Sequence, residues 1–257
     1  MHQQQFVNQS PSNQLQKEAA SITIIVPVHN EEKRLSKCLS RTVEYSKQRK
    51  WDYEIILVED GSTDGTVDLI NNFMSTDPRI KLLSNKERLG KGRAIRNGVH
   101  LAQKDYIGYM DSDLSADPSE FDRLLFFIED FDLVVGSRIL RGTLPPIDRP
   151  FLRTLLSRCY SKLFRTLFWG VGVHDPQCGL KLFKFEAANI LLSQIQTNGF
   201  AFDCEVIVKA VNSGLSVKEV PIIWKHDYGS KVKVLREILI MGKDLLRVWF
   251  KTKVFRR

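Results

Sequence analysis

Five short β-branched runs dominate the first 140 residues, each followed by a polar cluster and most by a helix-like stretch. The runs are ITIIVPV (22–28), YEIILVE (53–59), IKLL (80–83), DYIGYM (105–110) and DLVVG (132–136). Helical candidates lie at about 32–49, 65–75, 90–103 and 118–129; Asp117-Pro118 opens the last, a cap followed by proline at the first turn. Strands alternating with amphipathic helices predict a doubly wound, mostly parallel α/β sheet. Ligands of such sheets bind beyond the carboxyl ends of the strands. Here those ends carry His29-Asn30-Glu31, Glu59-Asp60-Gly61-Ser62-Thr63-Asp64, Gly90-Lys91-Gly92, Asp111-Ser112-Asp113 and Gly136-Ser137-Arg138. Carboxylates, a lysine and an arginine gathered on one rim predict a site.

The rim lacks the usual nucleotide cradles. No GxGxxG follows the first strand and no GxxxxGK[ST] occurs. Gly90-Lys91-Gly92 reads equally as part of a site or as a turn before a helix. Asp111 and Asp113 are more informative. Two carboxylates two residues apart, just past an apolar strand, can point toward one hard cation such as Mg²⁺ or Mn²⁺. The same pattern also suits a solvated loop with a capping Asp. A cation held there would bridge a diphosphate and stabilise its charge as it leaves.

At 257 residues and 43% apolar content, the chain is long enough to bury a large core without external staples. Cys38, Cys159, Cys178 and Cys204 are scattered with no CxxC pair, which argues against a zinc site or disulfide framework and for a reducing compartment. No run approaches the roughly 18 to 20 apolar residues of a spanning helix. Residues 1–20 are polar and Gln/Asn-rich and are expected to form a disordered lead without a signal peptide's apolar core. The net charge of +8 is uneven: residues 1–148 carry 19 basic and 22 acidic side chains, residues 149–257 carry 19 and 8. The second half is therefore expected to meet an anion.

Taken together, VPVHNE (26–31), VEDGSTDGT (58–66), GKGRAIRNG (90–98), DSDLSADP (111–118) and GSR (136–138) resemble an inverting family-2 glycosyltransferase of the GT-A fold. HDPQCGLKLF (174–183), GFAFDCEV (199–206), EVPIIW (219–224), GSKV (229–232) and MGKDLL (241–246) narrow the resemblance to the dolichyl-phosphate glucosyltransferase branch, near the polyprenyl-phosphate mannose synthases. It covers about residues 21–250. It implies a GT-A catalytic domain over 21–233, including an interfacial helix at about 149–171, and a basic amphipathic membrane-surface helix over 234–257. Asp60 would receive the base of a uridine diphosphate donor, Glu31 would lie on the ribose side and Pro27 would shape the first loop. Lys91 and Ser112 join these as nucleotide-sugar contacts. Asp111 would contact ribose and metal, and Asp113 would be the direct ligand of Mg²⁺ or Mn²⁺. Mannose-phosphate relatives often place Gln as a third ligand two residues later; this chain has Ser115, so water is an alternative there.

The implied acceptor is a polyisoprenyl phosphate, whose second pKa of about 6 leaves it mostly ionised at pH 7. An anionic nucleophile needs no strong general base, so catalysis rests on positioning and on cations. Arg138 reaches both phosphates or is a surface arginine flanking a helix. Arg153 and Ser157, four apart, share one helix face, as does the pair that grips lipid phosphate in the mannose-synthase cousins. Lys231 lies where those cousins bring another cation, and their nearby Arg is replaced by His226 or missing. That departure favours UDP-glucose as donor over GDP-mannose or another nucleotide sugar. Asp175 and Gln177 lie in the loop that faces sugar and acceptor in the family; Asp175 positions the sugar or is a buried hydrogen-bonding group. Glu205 is expected to orient that loop, and Trp224 is core or interface.

Segments 149–171 and 234–257 mix Leu, Phe and Trp with Arg and Lys, as helices lying on an anionic bilayer do; core-facing amphipathic helices show the same pattern. Peripheral attachment from the cytoplasmic side is expected, with no spanning anchor. Two rivals remain. A soluble glycosyltransferase acting on a glycan would want a base, for which Asp117 or Asp175 can be nominated. A nucleic-acid-binding module fits the basic pI, but no nucleic-acid motif supports it.

Overall fold

A computed structural model describes residues 20–140, 151–225 and 234–254. Three parallel units open the chain: β1 (Ser21–Val28), α1 (Glu32–Gln48), β2 (Asp52–Asp60), α2 (Thr66–Thr76), β3 (Ile80–Asn85) and α3 (Lys91–Val99). β4 (Tyr106–Tyr109), α4 (Glu120–Ile128) and β5 (Leu133–Ser137) follow, then α5 (Phe151–Leu167), β6 (Lys181–Lys184) and α6 (Phe185–Ser193). The chain continues through α7 (Phe202–Asn212), β7 (Val217–Pro221) and α8 (Val234–Val254). Among the described residues one sheet takes all seven strands in the order β3-β2-β1-β4-β6-β5-β7. Among the described strands only β6 runs antiparallel, paired with β4 on one side and β5 on the other. The doubly wound, mostly parallel sheet is as expected, and all five predicted strands are present.

Strand alternation sends successive side chains to opposite faces. Ile25, Ile56, Val58, Ile107 and Val135 meet α3, α5, α6, α7 and α8 on one face. Ile24, Ile55, Leu57, Val134 and Leu182 meet α1, α2 and α4 on the other. α1 shows why a helix forms there: its buried Leu35, Cys38, Leu39 and Thr42 recur at helical spacing along one stripe. α7 is different, buried almost all round from Phe202 to Val208, so its two acids, Asp203 and Glu205, must find partners inside the protein.

Two boundaries differ from the sequence reading. α3 stops at Val99, four residues short of the expected 103. α4 starts at Glu120, because Asp117 caps a turn instead: its Oδ1 accepts from the Ser119 amide at 3.0 Å and its carbonyl accepts from the Glu120 amide at 2.9 Å. Both basic helices sit on the same layer. Tyr160, Phe164 and Phe168 of the α5 region and Leu245 and Val248 of α8 are buried in the α3–α7 core cluster. Among the described residues no helix is long and apolar enough to cross a membrane.

Candidate active site

Strand order reverses between β1 and β4, which opens the crevice where ligands of such sheets bind. On the β1 side the loops are stitched together. The Asn30 amide donates to Ser62 Oγ at 2.9 Å, the Thr63 amide donates to Asn30 Oδ1 at 2.8 Å, and the Glu31 amide donates to Thr66 Oγ1 at 2.9 Å. Glu31 itself is gripped by Arg34, at 2.7 and 2.5 Å. Pro27 is half-buried, opposite Val58 of β2. Asp60 is buried, and its two oxygens accept from the Leu89 and Gly90 amides at 2.7 and 2.8 Å. This carboxylate thereby anchors the loop into α3.

The glycines of Gly90-Lys91-Gly92 serve close packing. Gly90 has φ +96°, and a Cβ on it would lie 2.6 Å from the Asn198 carbonyl oxygen. The Gly92 amide donates to that same carbonyl at 2.7 Å. The turn before α7 is thus pressed against the start of α3, and Lys91 is carried into the crevice.

There Lys91 Nζ lies 2.9 Å from Asp111 Oδ1 and 3.2 Å from Asp203 Oδ2. Burial alone would lower its pKa, but the two carboxylates raise it above the ordinary lysine value. Asp203 also accepts from Tyr109 Oη at 2.5 Å and from the buried Lys181 Nζ at 2.5 Å. Burial works against its charged form, yet Lys181 and Lys91 hold its carboxyl at about 2. Sequence reading passed over Asp203 and Lys181. A lone lysine in CGLKLF and two acids in the apolar FDCEVIV were the available signals. Glu205 requires a correction. It accepts from the Thr197 amide at 2.8 Å and holds the turn before α7, not the 174–179 loop.

Asp111, Ser112 and Asp113 follow β4. Ser112 is buried, and Asp113 Oδ1 accepts from the Ser115 amide at 2.9 Å. Burial raises the Asp113 carboxyl above the usual range, and the neighbouring Asp111 charge adds to this. Such a strained pair of hard oxygen donors fits a divalent cation, which would relieve the repulsion. Among the described residues no cluster of three or more His, Cys, Asp or Glu could hold a metal. The Ser115 carbonyl accepts from the Lys225 amide at 2.7 Å, tying this loop to the segment after β7. Gly179 is a further residue that the sequence did not single out: a Cβ there would fall 1.9 Å from Asp111 Oδ2. Gly179→Ala is expected to push Asp111 aside and lower turnover about 100-fold, the scale of a 1 Å misplacement. Steady-state kinetics beside a thermal melt check this.

Arg138, after β5, meets Asp175 in a fork: Nε to Oδ2 at 2.7 Å, Nη2 to Oδ1 at 2.8 Å, and its backbone amide to Oδ2 at 2.9 Å. The pair is almost fully inside, with 15% and 1% of the side chains exposed. Burial opposes the charge on Asp175, but Arg138 holds its carboxyl below the usual range. Glu219 Oε1 accepts from the Asp175 amide at 2.7 Å and fixes the loop. Arg138 also lies over the Trp224 ring, 5.6 Å from its centroid. Gln177 Nε2 is 3.9 Å from Met241 Sδ of α8. Ser157 is half-buried on α5, and Arg153 belongs to the same helix. Lys231 and His226 lie outside the described residues, as does nearly all of the expected 1–20 lead. Asp117, nominated as a base, is forked by Arg41 at 2.9 and 3.0 Å. Burial pushes its carboxyl up, but Arg41 and Ser119 bring it to about 2.

Residues 23–191 match the family model described as Glycosyl transferase family 2. Glycosyltransferase AglD of Haloferax volcanii is 31% identical over 91% of the chain, which spans only 38% of that longer protein. A dolichyl-phosphate beta-glucosyltransferase of Dictyostelium discoideum is 31% identical over 90% of the chain and 74% of its own length. Among solved structures, glucosyl-3-phosphoglycerate synthase from Mycobacterium tuberculosis in complex with Mn²⁺, UDP and glucosyl-3-phosphoglycerate superposes with a TM-score of 0.69. That match has 18% identity and covers 90% of this chain and 79% of that one; at that identity it shows the fold.

Proposed function

The chain belongs to glycosyl transferase family 2, and on that premise we propose that it transfers glucose from UDP-glucose, with inversion, to a polyisoprenyl phosphate. One observation carries the reading. Asp60, Asp111, Asp113 and Arg138 stand at the carboxyl ends of three parallel strands, in a chain similar over most of its length to dolichyl-phosphate beta-glucosyltransferases. Both acids nominated as a general base are held by arginine forks and are poor proton acceptors. That favours an acceptor already anionic, such as a phosphate monoester.

In this reading the acceptor oxygen attacks the anomeric carbon, the bond from that carbon to the diphosphate breaks, and UDP departs with the electron pair. Pro27, Glu31, Asp60, Lys91 and Ser112 bind the nucleotide sugar. Asp113, with Asp111, holds Mg²⁺ or Mn²⁺, which when bound neutralises the leaving diphosphate. Gln177 orients the sugar, Asp175 takes the buried hydrogen-bonding role instead by holding Arg138 in its fork, and Arg138, Arg153, Ser157 and Lys231 take the acceptor phosphate. Incubation with labelled UDP-glucose, Mg²⁺ and a polyprenyl phosphate is expected to give an organic-soluble glucolipid. Label appearing only from GDP-mannose or another donor would replace the sugar. Label found only on a glycan acceptor would overturn the lipid assignment.

The acceptor lipid calls for a membrane face. Leu155, Leu163 and Trp169 in and just after α5 and Ile240, Leu246 and Phe250 of α8 are exposed, Trp169 by 90%. Arg158, Lys162, Arg165, Lys243, Arg247 and Lys251 of the same two helices are exposed as well. This combination suits an anionic bilayer and peripheral attachment on the cytoplasmic side. The protein is expected to float with anionic liposomes at about 0.15 M salt, and Trp169→Ala to float less. Recovery at the bottom of the gradient would refute the attachment.

A further inference from the structure

Lys91 stands between two carboxylates of unequal standing. Asp203 has Lys181 and Tyr109 as partners besides Lys91. Asp111, with 43% of its side chain exposed, is the carboxylate that a cation entering from solvent would reach. We propose that Lys91 is the resident counter-ion of Asp111 in the nucleotide-free protein, and that a divalent cation gains Asp111 only by displacing it. The proposal rests on the reading that Asp111 and Asp113 hold the metal.

The charges argue for it. Three carboxylates, Asp111, Asp113 and Asp203, face two ammonium groups, Lys91 and Lys181, so a dication would overshoot neutrality in a half-buried crevice. A nucleotide diphosphate brings the missing negative charge, so metal and nucleotide should enter together and the metal alone should bind weakly. Lys91 has somewhere to go: it already reaches Asp203 and need give up only one of its two contacts.

The test is Mn²⁺ binding without nucleotide, read as loss of the free-ion EPR signal, in the full chain. Lys91→Met is expected to tighten Mn²⁺ binding about tenfold, equivalent to about 1.4 kcal/mol, and Lys91→Arg to match the unsubstituted protein. Lys91→Gln carries the same expectation should the Met variant melt early. Equal or weaker binding in a folded Lys91→Met or Lys91→Gln protein overturns the counter-ion role while leaving the metal site standing. Binding that persists in Asp113→Asn overturns the metal reading, and this proposal with it.

Discussion

Asp113→Ala is expected to remove metal-dependent sugar transfer, by about 1,000-fold or more, while the protein stays folded. The magnitude follows from the several kcal/mol that a bound cation contributes to charge stabilisation at a leaving diphosphate. Stability should change little because two effects oppose each other. The side chain gives up a hydrogen bond from the Ser115 amide, and its removal also relieves the buried charge that Asp111 repels. Asp113→Asn separates charge from shape: it keeps an oxygen for Ser115 and should still lose transfer. Glucolipid formation beside a thermal melt decides the matter, and full activity with a normal melt would sink the assignment.

Arg138→Met is expected to cost stability as well as activity. It strands the Asp175 carboxylate, 1% exposed, without its fork. Breaking a buried pair from one side costs about 3–5 kcal/mol, which for a chain of this size lowers Tm by about 10 °C. The double variant Arg138→Met with Asp175→Asn removes the stranded charge and should regain part of that loss in a denaturant melt. Transfer should not return, since the cation proposed to take the acceptor phosphate is still gone. If the double variant recovers activity with stability, Arg138 acts through the loop alone.

Much of this was legible in local pattern. The β-branched runs and the polar clusters after them located the five parallel strands and the rim, because strand alternation and turn chemistry are local properties. Asp111 and Asp113 were legible for the same reason, being two residues apart on one loop. Beyond Arg138 the reading weakened. β6 was missed: it is four residues long and antiparallel, and KLFK shows little alternation. Yet that reversal brings its amino end, and with it Asp175, Gln177 and Gly179, to the rim that the other strands reach with their carboxyl ends.

The sequence by itself determined the layer architecture, the acid pair and the uneven charge. It also carried the family resemblance, since motifs keep their order along a chain. Only the tertiary structure decided who partners whom. Arg138 meets Asp175 across 37 positions and Lys91 meets Asp203 across 112, separations over which no periodicity carries information. Glu205 holds a different loop from the one expected because α7 turns it toward Thr197. Gly179 matters only because a carboxylate from another strand fills the space its missing side chain leaves. Buried charges must be satisfied by whatever the fold brings near, and that proximity is a property of the packed molecule.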